Sequence, residues 1–135
     1  MSVIVTDTGF AADDWAAGIV PLDELAAHQG AVDLANTADP AALGNQLATL
    51  QLIRIAFAAF SDGRGFTLAA RLRRMGYTGR LRAYGHVLAD QYAMARRSGF
   101  DEVEIPDDLA ARQPADQWAF RADWRAHDHR ARLRA

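Results

Sequence analysis

Residues 60–100, FSDGRGFTLAARLRRMGYTGRLRAYGHVLADQYAMARRSGF, contain a repeat. Arg73-Arg74-Met75-Gly76-Tyr77 returns 23 residues later as Arg96-Arg97-Ser98-Gly99-Phe100. Each copy closes an apolar-periodic run with two arginines, a glycine and an aromatic that leads into a β-like segment. Glycine takes the left-handed C′ conformation at little cost, and cations suit the negative end of the helix dipole. Two consecutive helix-to-strand units predict a parallel α/β sheet, a design that places its chemistry at the carboxyl ends of the strands. Asp62-Gly63-Arg64-Gly65 falls at one such end, and Gly85-His86 with Asp90-Gln91 at the next.

Outward from the repeat, residues 51–60 are rich in β-formers (Ile53, Ile55, Phe57) and predict the preceding strand. Asp39-Pro40 is a capping acid before an N1 proline, and Leu43, Leu47 and Leu50 continue that helix as an i, i+4, i+7 stripe. Residues 31–35 and 3–5 are further strand candidates, the latter ended by Asp7-Thr8-Gly9. Pro21, Leu22, Leu25 and Ala26 read as a short helix. In the repeat itself, Leu68, Leu72 and Met75 share one face of the first helix, with Arg71 and Arg74 outside. Val87, Leu88, Tyr92 and Ala95 do the same in the second, with Gln91 on that inward side.

The strands that follow alternate strictly: Arg80-Leu81-Arg82-Ala83 and Glu102-Val103-Glu104-Ile105. A parallel sheet covered on both faces reads instead as continuous apolar runs. Leu81, Ala83, Val103 and Ile105 therefore face helices, while Arg54, Arg80, Arg82, Glu102 and Glu104 share the other face, arginines against glutamates. Such a face predicts a homodimer interface or a cover made by the acidic N-terminal half. The expected fold is α/β, four to five mostly parallel strands with helices chiefly on one face, as a partial barrel or a small open sheet. Residues 1–106 form its core and residues 107–135 a C-terminal helical extension and basic tail.

Composition narrows the chemistry. The chain has 135 residues, half of them hydrophobic, and no cysteine, which excludes disulfides, thiolate nucleophiles and cysteine-ligated metal centres. All 15 basic residues are arginine, so Schiff-base chemistry is excluded. The N-terminus has no basic region before an apolar run, and a cytoplasmic protein is expected. The net charge of −2 conceals an asymmetry: residues 1–53 carry seven acids and no Lys or Arg. The arginines lie at helix ends and in strands without aromatic interleaving, so neither nucleic acid nor a membrane is expected as a partner.

Asp62-Gly63-Arg64-Gly65 joins a strand to a helix. Its glycines allow an oxyanion to approach backbone N–H groups, and Arg64 can fork onto sulfate, phosphate or carboxylate. The competing reading is a structural turn in which Asp62 caps and pairs with Arg64. It is no dinucleotide fingerprint, because Leu68 stands where the third glycine belongs. Arg82, Tyr84, His86, Asp90 and Gln91 form a second constellation. There Asp90, four residues after His86 on one helical face, orients the imidazole as a general base or simply stabilises the helix start. The candidate catalytic residues are thus Asp62, His86 and Asp90; the candidate ligand-binding residues are Gly63, Arg64, Gly65, Arg82 and Gln91. His127 and His129 point apart at i, i+2, and Trp15, Trp118 and Trp124 read as core or tail-docking residues. No metal site and no cofactor is expected.

The central block also resembles a bacterial family known as domain of unknown function 934. The resemblance rests on residues 57–66, on Leu72-Arg73 with Gly76-Tyr77-Thr78-Gly79, on residues 81–88 with Asp90-Gln91, and on residues 96–101; it covers about residues 19–105. Members are labelled as oxidoreductases of sulfite reduction and are encoded beside sulfite reductase and the adenylylsulfate-reducing enzymes. The resemblance implies an accessory protein of assimilatory sulfate and sulfite reduction, with sulfite reductase or another enzyme of that route as partner, or a small anion as ligand. The family commonly has cysteine where this chain has Ser98, and the last 25 or so residues look unlike the usual ending. Two other readings stand beside this one: a small-molecule enzyme doing acid–base chemistry on an oxyanion substrate, and a structural interaction module.

Overall fold

The computed structural model describes residues 2–15, 17–22, 30–59 and 61–120. Within them seven strands form one sheet in the order β2-β1-β7-β6-β5-β4-β3. β1 (Ser2–Thr6) and β2 (Gly9–Ala11) make an antiparallel hairpin, and β1 also runs antiparallel to β7 (Glu102–Pro106). From β7 the sheet continues in parallel through β6 (Arg80–Gly85), β5 (Leu52–Phe57), β4 (Ala31–Leu34) and β3 (Val20–Pro21). Seven strands exceed the four to five expected. The additions are β2 and β3, three and two residues long, too short for a period-2 signal to register. Pro21, expected to open a helix, instead lies on the edge strand β3, where proline's missing N–H disturbs no ladder. Leu25 and Ala26 lie outside the described residues.

Because β4 to β7 step one place at a time, right-handed crossovers put their connections on one side of the sheet. Ile53, Ile55, Phe57, Leu81, Ala83, Val103 and Ile105 form a single buried cluster there with Leu68, Leu72, Tyr92 and Ala95 from the helices. Helix α1 (Arg64–Arg74) buries Gly65, Leu68, Ala69 and Leu72, an i, i+3, i+4, i+7 stripe. Met75, expected on that stripe, caps the helix and is 44% exposed, because the chain turns away at Gly76 (φ 100°). Helix α2 spans Tyr92–Ser98 and is preceded by a 3-10 turn, Ala89–Gln91.

The repeat in sequence is a repeat in hydrogen bonds. Tyr77 N–H donates to Leu72 O at 3.1 Å, and Phe100 N–H to Ala95 O at 3.0 Å, the 6→1 bond of a Schellman cap. Arg73 Nη1 donates to Tyr77 O at 3.0 Å, and Arg96 Nη1 to Phe100 O at 2.6 Å, so each unit's first arginine ties its helix to the aromatic that starts the next strand. Gly99 (φ 115°) is further constrained, since a Cβ there would come within 2.6 Å of Arg73 Cγ.

The Asp39 carboxylate caps its segment, accepting Ala41 N–H at 3.0 Å. Pro40–Ala48 is nevertheless a 3-10 helix broken at Gly44 (φ 50°), with Leu43 buried and Leu47 half-buried. After β7, α3 (Asp107–Arg112) and α4 (Ala115–Phe120) bring Leu109 and Trp118 into the same cluster. Trp118 meets the Tyr92 ring edge-on at 6.1 Å and donates Nε1–H to Gln113 O at 2.8 Å. Trp124, His127 and His129 lie outside the described residues. Among the described residues no helix is long and apolar enough to cross a membrane.

Candidate functional site

The face of the sheet away from the helices is ionic and buried. Strand alternation sends Asp33, Arg54, Arg80, Arg82, Glu102 and Glu104 to it, and Arg82, Glu102 and Glu104 are only 0%, 6% and 5% exposed. Register sets Arg82 beside Glu102, but it also sets Arg54 beside Arg82, a like-charge pair that the expected matching of arginines with glutamates did not include. Glu104 reconciles them: its Oε1 accepts from Arg54 Nη1 and from Arg82 Nη1, each at 3.0 Å. Its Oε2 accepts Ser2 Oγ–H at 2.8 Å. Glu102 in turn accepts from Arg82 Nε at 2.6 Å and from Arg80 Nη2 at 2.8 Å, and Asp33 holds Arg54 with two bonds of 2.6 and 2.8 Å. The bidentate Asp33 carboxylate, helped by Glu104, outweighs the opposing effect of burial and leaves Arg54 with a raised pKa.

Residues from the β2–β3 connection close this face. Asp14 Oδ1 lies 2.8 Å from Arg80 Nη2, and Asp13 Oδ1 lies 3.1 Å from Arg82 Nη2. The second contact is an ion pair rather than an aligned hydrogen bond, which leaves Arg82 Nη2 the one buried side-chain polar atom without such a bond among the described residues. Burial pulls the Asp13 carboxyl upward, but Trp15 N–H and Arg82 outweigh it; Arg80 does the same for Asp14, and both sit below their ordinary value. Two acids of the N-terminal half, Asp13 and Asp14, thus lie against this face.

At the carboxyl ends of β5, β6 and β7 a cleft of about 470 Å³ opens, lined by Ser2, residues 56–58, Tyr84, Gly85, His86 and Pro106. The Arg54 guanidinium stacks under the Tyr84 ring at 4.4 Å, joining the cleft to the ionic face. Gly85 is required at its wall: φ is 113°, and a Cβ would come within 2.6 Å of Phe57 O. His86 and Tyr84 are exposed at the rim. Ser2 and residues 56–58 carried no sequence signal for a site. Asp33 did, in the alternation of Ala31-Val32-Asp33-Leu34.

The remaining sequence candidates do not converge on this cleft. Asp62 accepts Arg64 N–H at 3.1 Å, pairs with Arg64 Nη2 at 2.7 Å and accepts Asn36 Nδ2–H at 2.9 Å. The Arg64 guanidinium, then its N–H, hold the Asp62 carboxyl far below the usual carboxylate range. Gly63 opens α1, and Gly65 is needed because a Cβ would run into the Phe57 ring, which is packing rather than anion approach. The expected helical pairing of Asp90 with His86 is corrected by the backbone. The chain stays extended through Leu88 (φ −88°, ψ 157°) before helical turns begin at Ala89, so no i, i+4 relation exists. No hydrogen bond or ion pair joins Asp62, His86 and Asp90 among the described residues. Gln91 accepts Leu88 N–H at 2.9 Å as a cap. Among the described residues no group of three or more His, Cys, Asp or Glu is placed to hold a metal ion.

No curated protein and no solved structure matches the chain significantly. A family model described as "Bacterial protein of unknown function (DUF934)" matches residues 31–130, past the limit near residue 105 expected from the resemblance, so the C-terminal segment falls within the match. With most of its length matched, the chain belongs to the DUF934 family.

Proposed function

We propose that the protein is an accessory protein of assimilatory sulfate and sulfite reduction that binds a partner enzyme and brings no redox cofactor of its own. The sulfur route enters through the resemblance of the central block to proteins encoded beside sulfite reductase. A binding role is favoured over acid–base catalysis by one observation, the closed pairing of Asp62 with Arg64 and Asn36. A carboxylate held so far below its usual range takes up no proton near neutral pH, and a guanidinium already engaged offers an incoming oxyanion little. The cleft favours a second reading, a small anionic ligand, because its volume of about 470 Å³ lies within the ~300–1,000 Å³ of ordinary ligand pockets. Two measurements test these together. The purified chain is mixed with purified sulfite reductase and followed by sedimentation, and the chain alone is titrated calorimetrically with sulfite and sulfate. Complex formation that Tyr84→Ala weakens, without heat from either anion, is the expected result. Saturable anion binding with no complex would replace the first reading by the second.

A further inference from the structure

A groove of about 610 Å³ runs between the last turns of α1 and α2 on the outside of the helical layer. Helix α1 runs from the carboxyl end of β5 to the amino end of β6, so this groove lies at the opposite end of the strands from the cleft. Ala70 and Gly99 line it together with Arg74, Met94, Arg97 and Ser98. Met94 is 52% exposed, and Met75, at the end of α1, is 44% exposed; these two and Tyr84 are the large hydrophobics that the described residues leave in water. The sequence around them is almost free of negative charge. Residues 63–100 contain eight arginines and a single acid, Asp90. Arg73 and Arg96 are turned inward onto backbone carbonyls, whereas Arg74 is exposed and no acid among the described residues lies within ion-pair distance of it. Arg71, one turn earlier, reaches Asp39 only at 3.8 Å between two exposed side chains.

We infer that the α1–α2 groove is a docking surface for an acidic segment of a partner protein, which sets a carboxylate on Arg74 and an apolar side chain against Met94. Guanidinium forks match carboxylates bidentately, and the unbranched, polarisable thioether adapts to whichever apolar side chain lies on it. Charge decides the occupant. The chain's own residues 121–135 carry five arginines and two acids, a composition that does not complement a basic groove. A second copy offers a reduced set of acids, because Asp7, Asp13, Asp14 and Asp33 already face their own chain's arginines, leaving Asp90, Asp107, Asp108 and Asp116 exposed, and light scattering distinguishes it. A nucleic acid would find cations but no aromatic ring in the groove on which to stack a base. The inference does not depend on the cleft or on the sulfur assignment.

The test is fluorescence anisotropy of a labelled synthetic peptide titrated with the full chain. The probe is an amphipathic helix of about 16 residues, glutamates on one face and leucines on the other. Saturable binding is expected, weakening about tenfold between about 0.05 and 0.5 M salt as the charges are screened. Arg74→Glu should weaken it about tenfold, and Arg74→Gln by a smaller factor, with circular dichroism unchanged because the side chain is exposed. Met94→Ala should cost about threefold, as should replacing the peptide's leucines by serine. Arg112→Glu, on α3, should leave binding as it was. Equal binding by wild type and both Arg74 variants would overturn the inference. So would tighter binding of a single-stranded oligonucleotide of equal charge, or a chain dimer in light scattering that Arg74→Glu dissociates.

Discussion

The two faces of the central sheet come from the same strands and are held by opposite physics. Toward the helices, Ile55, Leu81, Ala83 and Val103 are fully buried among apolar neighbours, and each contact is nondirectional. On the other side Arg82, Glu102 and Glu104 are buried almost as deeply, with Arg54 half-buried beside them, but all are held by directional bonds of 2.6 to 3.0 Å. An apolar face tolerates a small adjustment of helix or side-chain position. The ionic face does not, because Glu104 must reach Arg54, Arg82 and Ser2 at once. One face supplies driving force, and the other specifies which neighbours and which cover the sheet accepts.

The sharpest way to break that division is to remove the central cation. Arg82→Ala leaves Glu102, Glu104 and Asp13 facing one another, and a loss of about 3–5 kcal/mol is expected in urea unfolding. A loss below about 1 kcal/mol would mean that water reaches these groups and that the face is not an interior. Ile55→Ala, the matching deletion on the helix side, should cost about 2–5 kcal/mol through lost burial and a cavity. Repeating both titrations in high salt separates the faces, since only the Arg82 variant should change. Removing the whole ionic centre should have the opposite sign. Arg82→Met with Glu102→Leu and Glu104→Leu is expected to match the wild type or exceed it by about 1–4 kcal/mol, because three desolvated charges are no longer buried. The same variant should lose the Asp13 latch, seen as faster amide exchange over residues 12–19. A triple variant as unstable as Arg82→Ala would show that the ion pairs themselves supply the driving force. The smallest effect concerns pH. Asp13 and Asp14 have depressed folded-state values, so their contribution is complete above the ordinary Asp pKa of about 3.9 and is lost as pH falls through the lower folded value. Trp15 N–H donates to Asp13 Oδ1 and reports on the latch. Its exchange, corrected for the intrinsic rate, should quicken by no more than about fivefold below that point, in line with the ~0–1 kcal/mol of exposed pairs.

The sequence was most legible where one residue has one physical meaning. Gly76 and Gly99 follow helix ends, and Arg73 and Arg96 before them serve backbone carbonyls. The alternation of residues 80–83 and 102–105 assigned both faces of the sheet correctly. Legibility failed where long-range pairing decides. Nothing local to Ser2–Thr6 says that it lies beside Glu102–Pro106, or that Pro21 extends a parallel edge. His86 and Asp90 looked like one helical face because Val87 and Leu88 are apolar, yet Gly85 holds φ 113° and the chain leaves the strand extended. In Asp62-Gly63-Arg64-Gly65 the position at a strand end was legible. Whether Arg64 served a ligand or its own Asp62 was not, since both readings need the same residues.

The place of β1 bears on how the chain is made. Ser2–Thr6 waits for Glu102–Pro106, and a ribosome working at about 5–20 residues per second needs roughly 5–20 s to supply the missing neighbour. Until then Val3, Ile4 and Val5 form a hairpin with an unfilled edge, and Asp13 and Asp14 have no complete arginine–glutamate array to latch onto. Folding during synthesis therefore begins in the middle, at β4–β5–β6, and the N-terminal residues dock only after the chain beyond residue 106 has left the exit tunnel.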